Sequence, residues 1–351
     1  MSEDMNKHLT PVWIVYVDGK RLDTDHEGAL QKIYVNDVLD AVGYCTLEFD
    51  TSMFKVADAG TILLGSEVAV HMGYKDDCDQ VFVGDVTDFE TQYNEYGHEQ
   101  LLITVKNCLH RLENSIRALT FESKSPSDII NEILDSCSIS GEIDSFGVSK
   151  SFTAQIQKSD YEYVKNYAEK YGKTVYAYDS KVYVKDEVTI SEDDIILEWG
   201  KSLINFSGHE SLKKQMSSCT YIGWDMNACK GITGTARLSD LPLKVGGEKT
   251  WEDNSNVGVG KWECVISADD LYDNDDAKER AIGKLLNSSF EYQTGVAKCE
   301  GNYRIHPGMR VNIKYVGAKF SGEYIANRVE HTISTTGAFL TTVYVKRNAT
   351  E

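Results

Sequence analysis

Proline is scarce in this chain, with 4 in 351 residues, so no proline-rich linker divides it. Long apolar runs are missing as well. None approaches the roughly 20 residues that a membrane-spanning helix requires. The opening residues, MSEDMNKHLTPVW, lack the apolar stretch of a Sec signal, and the chain is expected to fold in the cytoplasm. Basic residues are outnumbered, 36 Lys and Arg against 55 Asp and Glu, for a formal net charge of −19. Binding a nucleic acid by phosphate neutralisation needs clustered Lys and Arg, so this balance argues against nucleic acid and against an anionic membrane surface as partners. The acidic surface serves solubility, and it would also keep DNA from adhering to a channel wall. Close cysteine spacing is absent. Cys45, Cys78, Cys108, Cys137, Cys219, Cys229, Cys264 and Cys299 contain no CxxC pair, and without an export signal they read as reduced, structural thiols.

What is present is strand chemistry. The length allows two to four modules. VWIVYVDGK (12–20) is β-rich and ends on an Asp-Gly turn signal, and CTLEFD (45–50), EVAVHMGY (67–74), VFVGDVTDFE and LLITVKN alternate apolar and polar residues. Short strands with turns between them suggest a barrel or a sandwich. The period changes near residue 125. Ser125, Pro126 and Asp128 form a helix start, followed by Ile129, Ile130, Ile133, Leu134 and Cys137 on one face. Ser159 and Glu162 make a second capping box, with Val164, Tyr167, Ala168 and Tyr171 on one face and Gly172 as the stop. KTVYAYDSKVYVK is a hairpin turning at Asp179-Ser180. From Ile195 strands resume. Residues 231 to about 262 are Gly-rich with weak periodicity and read as an extended connection, before a helix in NDDAKERAIGKLLNSSF. The chain then returns to strands.

Two distant stretches resemble each other. Gly65, Val68, Val70, Phe-x-Gly-acid from Phe82, Gly97 and Val105-Lys106 recur as Gly308, Val311, Ile313, Phe-x-Gly-acid from Phe320, Gly337 and Val345-Lys346, at separations between 238 and 243 residues. A Phe packing inward with a Gly two residues on, where a strand must bend, is what small barrels require at corners. The reading is either an internal duplication or coincidence between two hairpin-rich regions. If it is a duplication, three chains would present six similar units in a ring, matching a sixfold partner on one face and a threefold partner on the other.

The chain resembles the hub proteins of contractile phage tails and injection systems, the phage late control protein D family, to which the head of VgrG-type spikes is related. The resemblance rests on RALTFESKSPSDIINEIL (117–134), QKSDYEYVKNYAEKYGKTVYAY (157–178), DDAKERAIGKLL and, most specifically, IHPGMRVNIKYVGAKFSGEYIANRVEHTIS (305–334), in family order along nearly the whole chain. It implies a mainly β fold with an α+β insert: two similar β-barrel domains around a channel, a small α/β module outside and a helix-containing connection. The corresponding division is 1–118 for the first barrel, 119–188 for the α/β module, 189–230 with 296–351 for the second barrel, and 231–295 for the connection and helix. The implied partners are two further copies in a homotrimer, a hexameric tail tube protein, a spike protein and other baseplate proteins, in a particle assembled in the cytoplasm. VgrG proteins continue into an OB-like domain and a needle, whereas this sequence ends at Glu351, so the spike is expected to be a separate polypeptide.

No catalytic, cofactor or metal constellation is read, and the chain is expected not to be an enzyme. His306 and His331 have no His partner three to five residues away, and His331 alternates with Val329 and Ile333 along a strand, so both read as structural or interface histidines. SADDLYDNDDAKE (267–279) lacks the Gly and ligand spacing of a calcium loop and reads as a solvated helix start whose acids suit the helix dipole. Neither a phosphate loop nor a G-x-S-x-G elbow occurs. Tyr161, Tyr163, Tyr176 and Tyr178 could stack on sugars, but read by preference as module core or docking face. The alternative function is a peptidoglycan-binding module of a tail particle, since two helices with strands resemble such domains in plan.

Overall fold

The computed structural model describes residues 10–50, 56, 58–75, 77–93, 99–186, 195–255 and 262–351. The chain opens with β1 (Pro11–Val17), the two-residue β2 (Lys20–Arg21), helix α1 (Thr24–Ala29), β3 (Leu30–Val38), β4 (Tyr44–Asp50), β5 (Glu67–Tyr74), β6 (Asp77–Tyr93) and β7 (Glu99–Lys106). The α/β module follows: β8 (Ile116–Phe121), α2 (Pro126–Ser136), β9 (Ser140–Ile143), β10 (Thr153–Ser159), α3 (Asp160–Lys170), β11 (Thr174–Tyr178) and β12 (Lys181–Lys185). Then come β13 (Ile195–Glu198), β14 (Leu203–Glu210), β15 (Ser218–Asp225), β16 (Lys230–Arg237), α4 (Trp251–Asn254), β17 (Glu263–Ser267), α5 (Asn274–Ser289), β18 (Gln293–Glu300), β19 (Arg310–Lys314), β20 (Gly322–Ser334) and β21 (Leu340–Arg347). The protein is mainly β, with several sheets and a few helices.

Thirteen strands form one continuous sheet made of two units. The first unit has the spatial order β1-β5-β6-β7-β4-β3, and the second has β13-β19-β20-β21-β18-β14. Taken in chain order, the strands of the two units correspond one to one. The ladders agree in detail. A bulge separates Val86 from Asp88 in β6, with Val86 opposite Val105, and the same bulge separates Ala326 from Arg328 in β20, with Ala326 opposite Val345. Every one of these positions is displaced by 240 residues. On the other side, Gly65 N–H donates to Val86 O (2.8 Å) and Gly308 N–H donates to Ala326 O (2.7 Å), a displacement of 243 residues at the glycine. The Phe-x-Gly match, at 238, does not belong to this frame. Phe82 lies opposite Val70, and the residue opposite the corresponding Ile313 is Gly322. Gly97 lies outside the described residues. One pairing differs in sense: β1 runs antiparallel to β5, while β13 runs parallel to β19.

The inward positions of the first unit bury Val15, Ile33, Leu47, Phe49, Val70 and Ile103, joined by Ile333 and Phe339 from the end of the second unit. The second unit has its own core around Leu197, Ala297, Val311, Tyr324, Val329 and Val343.

Both helix starts in the α/β module form as their sequences dictate. Ser125 and Ser159 accept from the third helical N–H, and Asp128 and Glu162 reach back to the cap. Asp179 and Ser180 both take positive φ, 47° and 59°, which suits a two-residue hairpin. The module begins slightly earlier than expected, because β8 pairs with β10.

The region after β14 departs from the sequence reading. β15 was expected in the second barrel, and 231–262 was expected as an extended connection. Instead β16-β15-β17 form a separate three-stranded sheet whose inner face packs on α5. The physical reason lies in the glycines. Ile232, Gly234 and Ala236 alternate inward on β16, and a Cβ at Gly234 would stand 2.2 Å from Lys278 N. The residue read as a source of looseness is there to let helix and sheet backbones approach.

Candidate assembly surfaces

The two units are sewn together by β3 and β20, antiparallel from Arg328 opposite Val38 to Ser334 opposite Lys32. Leu39 N–H donates to the carbonyl of Asn327, the bulge residue (2.9 Å). Arg328 donates through Nε to Asn36 Oδ1 (2.8 Å), pairs with Glu330 and lies over the Tyr344 ring (4.9 Å).

His331 belongs to this ladder, opposite Val35, and is buried. Its ring nitrogens meet Thr341 Oγ1 (3.0 Å) and the Ile305 carbonyl (3.1 Å), and burial, helped by the nearby His306, pushes its pKa down to about 3. His306 stands edge-on to Tyr178 at 4.9 Å, and burial pushes it down to about 4. Both are neutral packing groups. Among the described residues no cluster of three or more His, Cys, Asp or Glu could hold a metal ion. All eight cysteines are free thiols, Cys229 being the exposed one.

The α/β module is clamped to the first unit through Asp37 and Asp40, at the end of β3. Tyr176 Oη donates to Asp37 Oδ2 (2.6 Å) in a fully buried contact, and burial pushes the Asp37 carboxyl up to about 7. Asp40 accepts from Val175 N–H (2.9 Å), and its carbonyl accepts from Tyr161 Oη (3.1 Å). Tyr163 and Tyr176 are buried, and Tyr161 and Tyr178 pack at the module's margins.

A second clamp joins the module to α5, and here the expected solvated helix start is corrected. Asp276 is completely buried. It accepts from Tyr171 Oη (2.6 Å) and Arg280 Nε (3.3 Å), and Lys150 Nζ lies 3.4 Å away. Burial alone would raise its pKa, but these donors hold the carboxyl below the ordinary value. Arg280, 1% exposed, also reaches Asp270 Oδ1 (2.7 Å). Gly172 and Gly283 meet backbone to backbone, a Cβ on Gly172 falling 2.6 Å from Gly283 Cα. An Asp and an Arg at i, i+4 were visible in the sequence, but that spacing also describes a solvated helix face. Only the packing of a distant module onto α5 buries the pair.

Beside this clamp an open cleft of about 730 Å³ is lined by Phe152, Ile156, Tyr163, Tyr167, Tyr221 and Tyr272. Its Lys150, Lys170 and Asp270 are engaged in structural ion pairs. The outer face of β16-β15-β17 exposes Ile222, Trp224 and Val265, and Met226 follows in the adjoining turn. β14 forms one end of the large sheet, with Ile204, Asn205, Ser207 and His209 exposed.

The surfaces of this molecule are therefore ladders, edges and clamps. The family model described as the Alg8 N-terminal domain matches residues 7–335. The chain belongs to that family. No curated protein sequence matches it. The fold of this family member is similar to that of the 43 kDa tail protein of prophage MuSo2 from Shewanella oneidensis, with a TM-score of 0.71 and 14% identity over 97% of this chain and 99% of that one. It is similar to a tail protein from Neisseria meningitidis MC58, with a TM-score of 0.69 and 11% identity over 96% and 97% of the two chains. A third similar structure is the E. coli protein c3393, a component of the type VI secretion system that resembles the T4 bacteriophage tail proteins gp27 and gp5. Its TM-score is 0.62, at 10% identity over 95% of this chain and 76% of that one.

Proposed function

We propose that the chain is a structural hub of a tail baseplate, in a contractile phage tail, a phage-tail-like bacteriocin or a related injection system, and that it is not an enzyme. It acts as a homotrimer that adapts a sixfold tail tube to a threefold spike around a central channel. The observation that carries this reading is the duplication: two six-stranded units with the same strand order and the same bulged ladder, 240 residues apart in one chain. Three copies then offer six near-equivalent units to the tube and three equivalent chains to the spike. The likeness in fold to tail proteins and to a type VI secretion component supports the same reading, as does the resemblance to late control protein D hubs. The net charge of −19 suits a passage that must not retain nucleic acid.

Electron microscopy of the purified protein tests it. The expected result is class averages with threefold symmetry, a pseudo-sixfold inner wall and an open centre. A chain that forms no ring, alone or with purified tube and spike proteins, overturns the reading.

A further inference from the structure

Within the chain, β3 of the first unit pairs with the outer edge of β20 of the second. Each of these strands has a counterpart in the other unit. β20 corresponds to β6 at a displacement of 240. β3 corresponds to β14 at a displacement of 173, because Asn36 and His209 stand opposite Tyr44 and Thr294, which in turn stand opposite the equivalent Lys106 and Lys346. Applying both displacements to the β3·β20 ladder places β14 against residues 88–92 of β6. His209 falls opposite Glu90, Gly208 opposite Thr91 and Ser207 opposite Gln92.

These two strands do not meet in one chain. Six strands lie between them in the sheet order. Among the described residues no strand pairs with the outer edge of β14 or with the outer edge of Asp88–Gln92. Both segments are surface-facing: Asn205, Ser207 and His209 are exposed on β14, and Asp88, Glu90, Thr91 and Gln92 on β6. Neither LINFSGHE nor DFETQ contains the lysine or proline that usually protects an open strand edge.

We infer that β14 of one copy adds antiparallel to Asp88–Gln92 of a second copy, in the register that the internal junction dictates. The contact uses two different surfaces, so it is heterologous and propagates head to tail until a ring closes. Closure after three copies rests on the hub reading above; the strand pairing itself does not.

The test is oxidative cross-linking of the full-length chain carrying Ser207→Cys and Gln92→Cys together. The controls are each single variant and the shifted pair Ser207→Cys with Asp88→Cys, four residues out of register. The matched pair should give dimer and closed-trimer bands on a non-reducing gel, reversed by reductant. The controls should show only the background set by the native thiols. Threefold rings in the microscope without cross-links in the matched pair, or equal cross-linking of the shifted pair, overturn the register and leave the hub reading standing. A chain that stays monomeric at the highest attainable concentration and with its partners overturns both. Cross-linked open filaments without rings support the pairing and overturn the hub.

Discussion

Residue 84 of the first unit is glycine, and its counterpart in the second, residue 324, is tyrosine. The hydrogen-bond frame around them is the same, each residue lying opposite a valine, Val68 or Val311. At Gly84 a Cβ would stand 2.1 Å from the Lys106 carbonyl oxygen, so the ladder closes over an empty position. Tyr324 is fully buried, donates to the Phe320 carbonyl (2.8 Å) and carries Arg347 over its ring at 4.4 Å. The same divergence holds at Asn107 and Arg347, and at Asp37 and Glu210. Asn107 accepts from Leu109 N–H (3.3 Å) to start a 3-10 turn. Arg347 donates to Gln293 Oε1 (2.7 Å) and to the carbonyls of Lys319 (2.8 Å) and Ser321 (3.1 Å). Each acid at the end of the paired strand accepts from a tyrosine hydroxyl, Asp37 from Tyr176 and Glu210 from Tyr292 (2.9 Å). Glu210 also has Gln293 and Lys319, which hold it below its ordinary pKa against the opposing effect of burial, whereas burial prevails at Asp37. What the two units share is the order of strands and the place of the bulge. Side chains are fitted to whatever each unit must hold beside it.

Substitution at the first pair should have the largest effect. Gly84→Ala must push the β6·β7 ladder apart, and Tyr324→Ala empties a buried ring site. Tyr324→Ala should cost about 3–5 kcal/mol by cavity formation and Gly84→Ala about 1–3 kcal/mol by overpacking, each read as a lower urea midpoint. If Gly84→Ala is neutral, the first unit's ladder is looser than described.

Acid should come next and act mainly on the second unit, which holds His331 and His306. Below pH 6.5 an unfolded chain protonates both histidines while the folded chain does not, so stability falls as pH drops from 6.5 towards about 4. Urea midpoints measured across that range should decline, and His331→Gln should flatten the decline.

Removing Arg347 with Met should cost about 3 kcal/mol, since several charged hydrogen bonds are lost. Asn107→Ala, at the equivalent place, should cost about 1 kcal/mol as a lost cap. Equal losses would mean that the two positions carry the same load.

The paired acids should respond to pH with opposite signs in the two units. Asp37 is raised, so its contribution is present at low pH and lost as pH rises from 3.8 through about 7. Glu210 is lowered, so its contribution is present above 4.5 and lost on acidification. Asp37→Asn should therefore gain on the wild type as pH rises, and Glu210→Gln should fall behind it, in midpoints compared at pH 4 and pH 7.5.

Much of this frame was legible. Period-two alternation marked β5 and β7, capping boxes marked α2 and α3, and the separations of 240 and 243 residues are those of the ladders themselves. The Phe-x-Gly match misled because identity was compared where register decides: Phe82 occupies the ladder position of Gly322. The β16-β15-β17 sheet was missed because Gly231, Gly234 and the threonines of β16 read as loop chemistry, while the helix that presses on Gly234 lies some forty residues away. The buried Asp276–Arg280 pair was missed for a related reason. Nothing local to α5 tells that a module from residues 116–185 will cover it.

The β3·β20 seam also sets an order of events. Asn36 and Arg328 are 292 residues apart in the chain. At synthesis rates of about 5–20 residues per second, β3 leaves the ribosome roughly 15–60 s before its partner strand exists. Through that interval the first unit has an open edge where the finished molecule has a seam, and its core lacks Ile333 and Phe339. A nascent chain of this kind is exposed to pairing with its neighbours on the same polysome, which makes the last strands translated the ones that close the first unit to strangers.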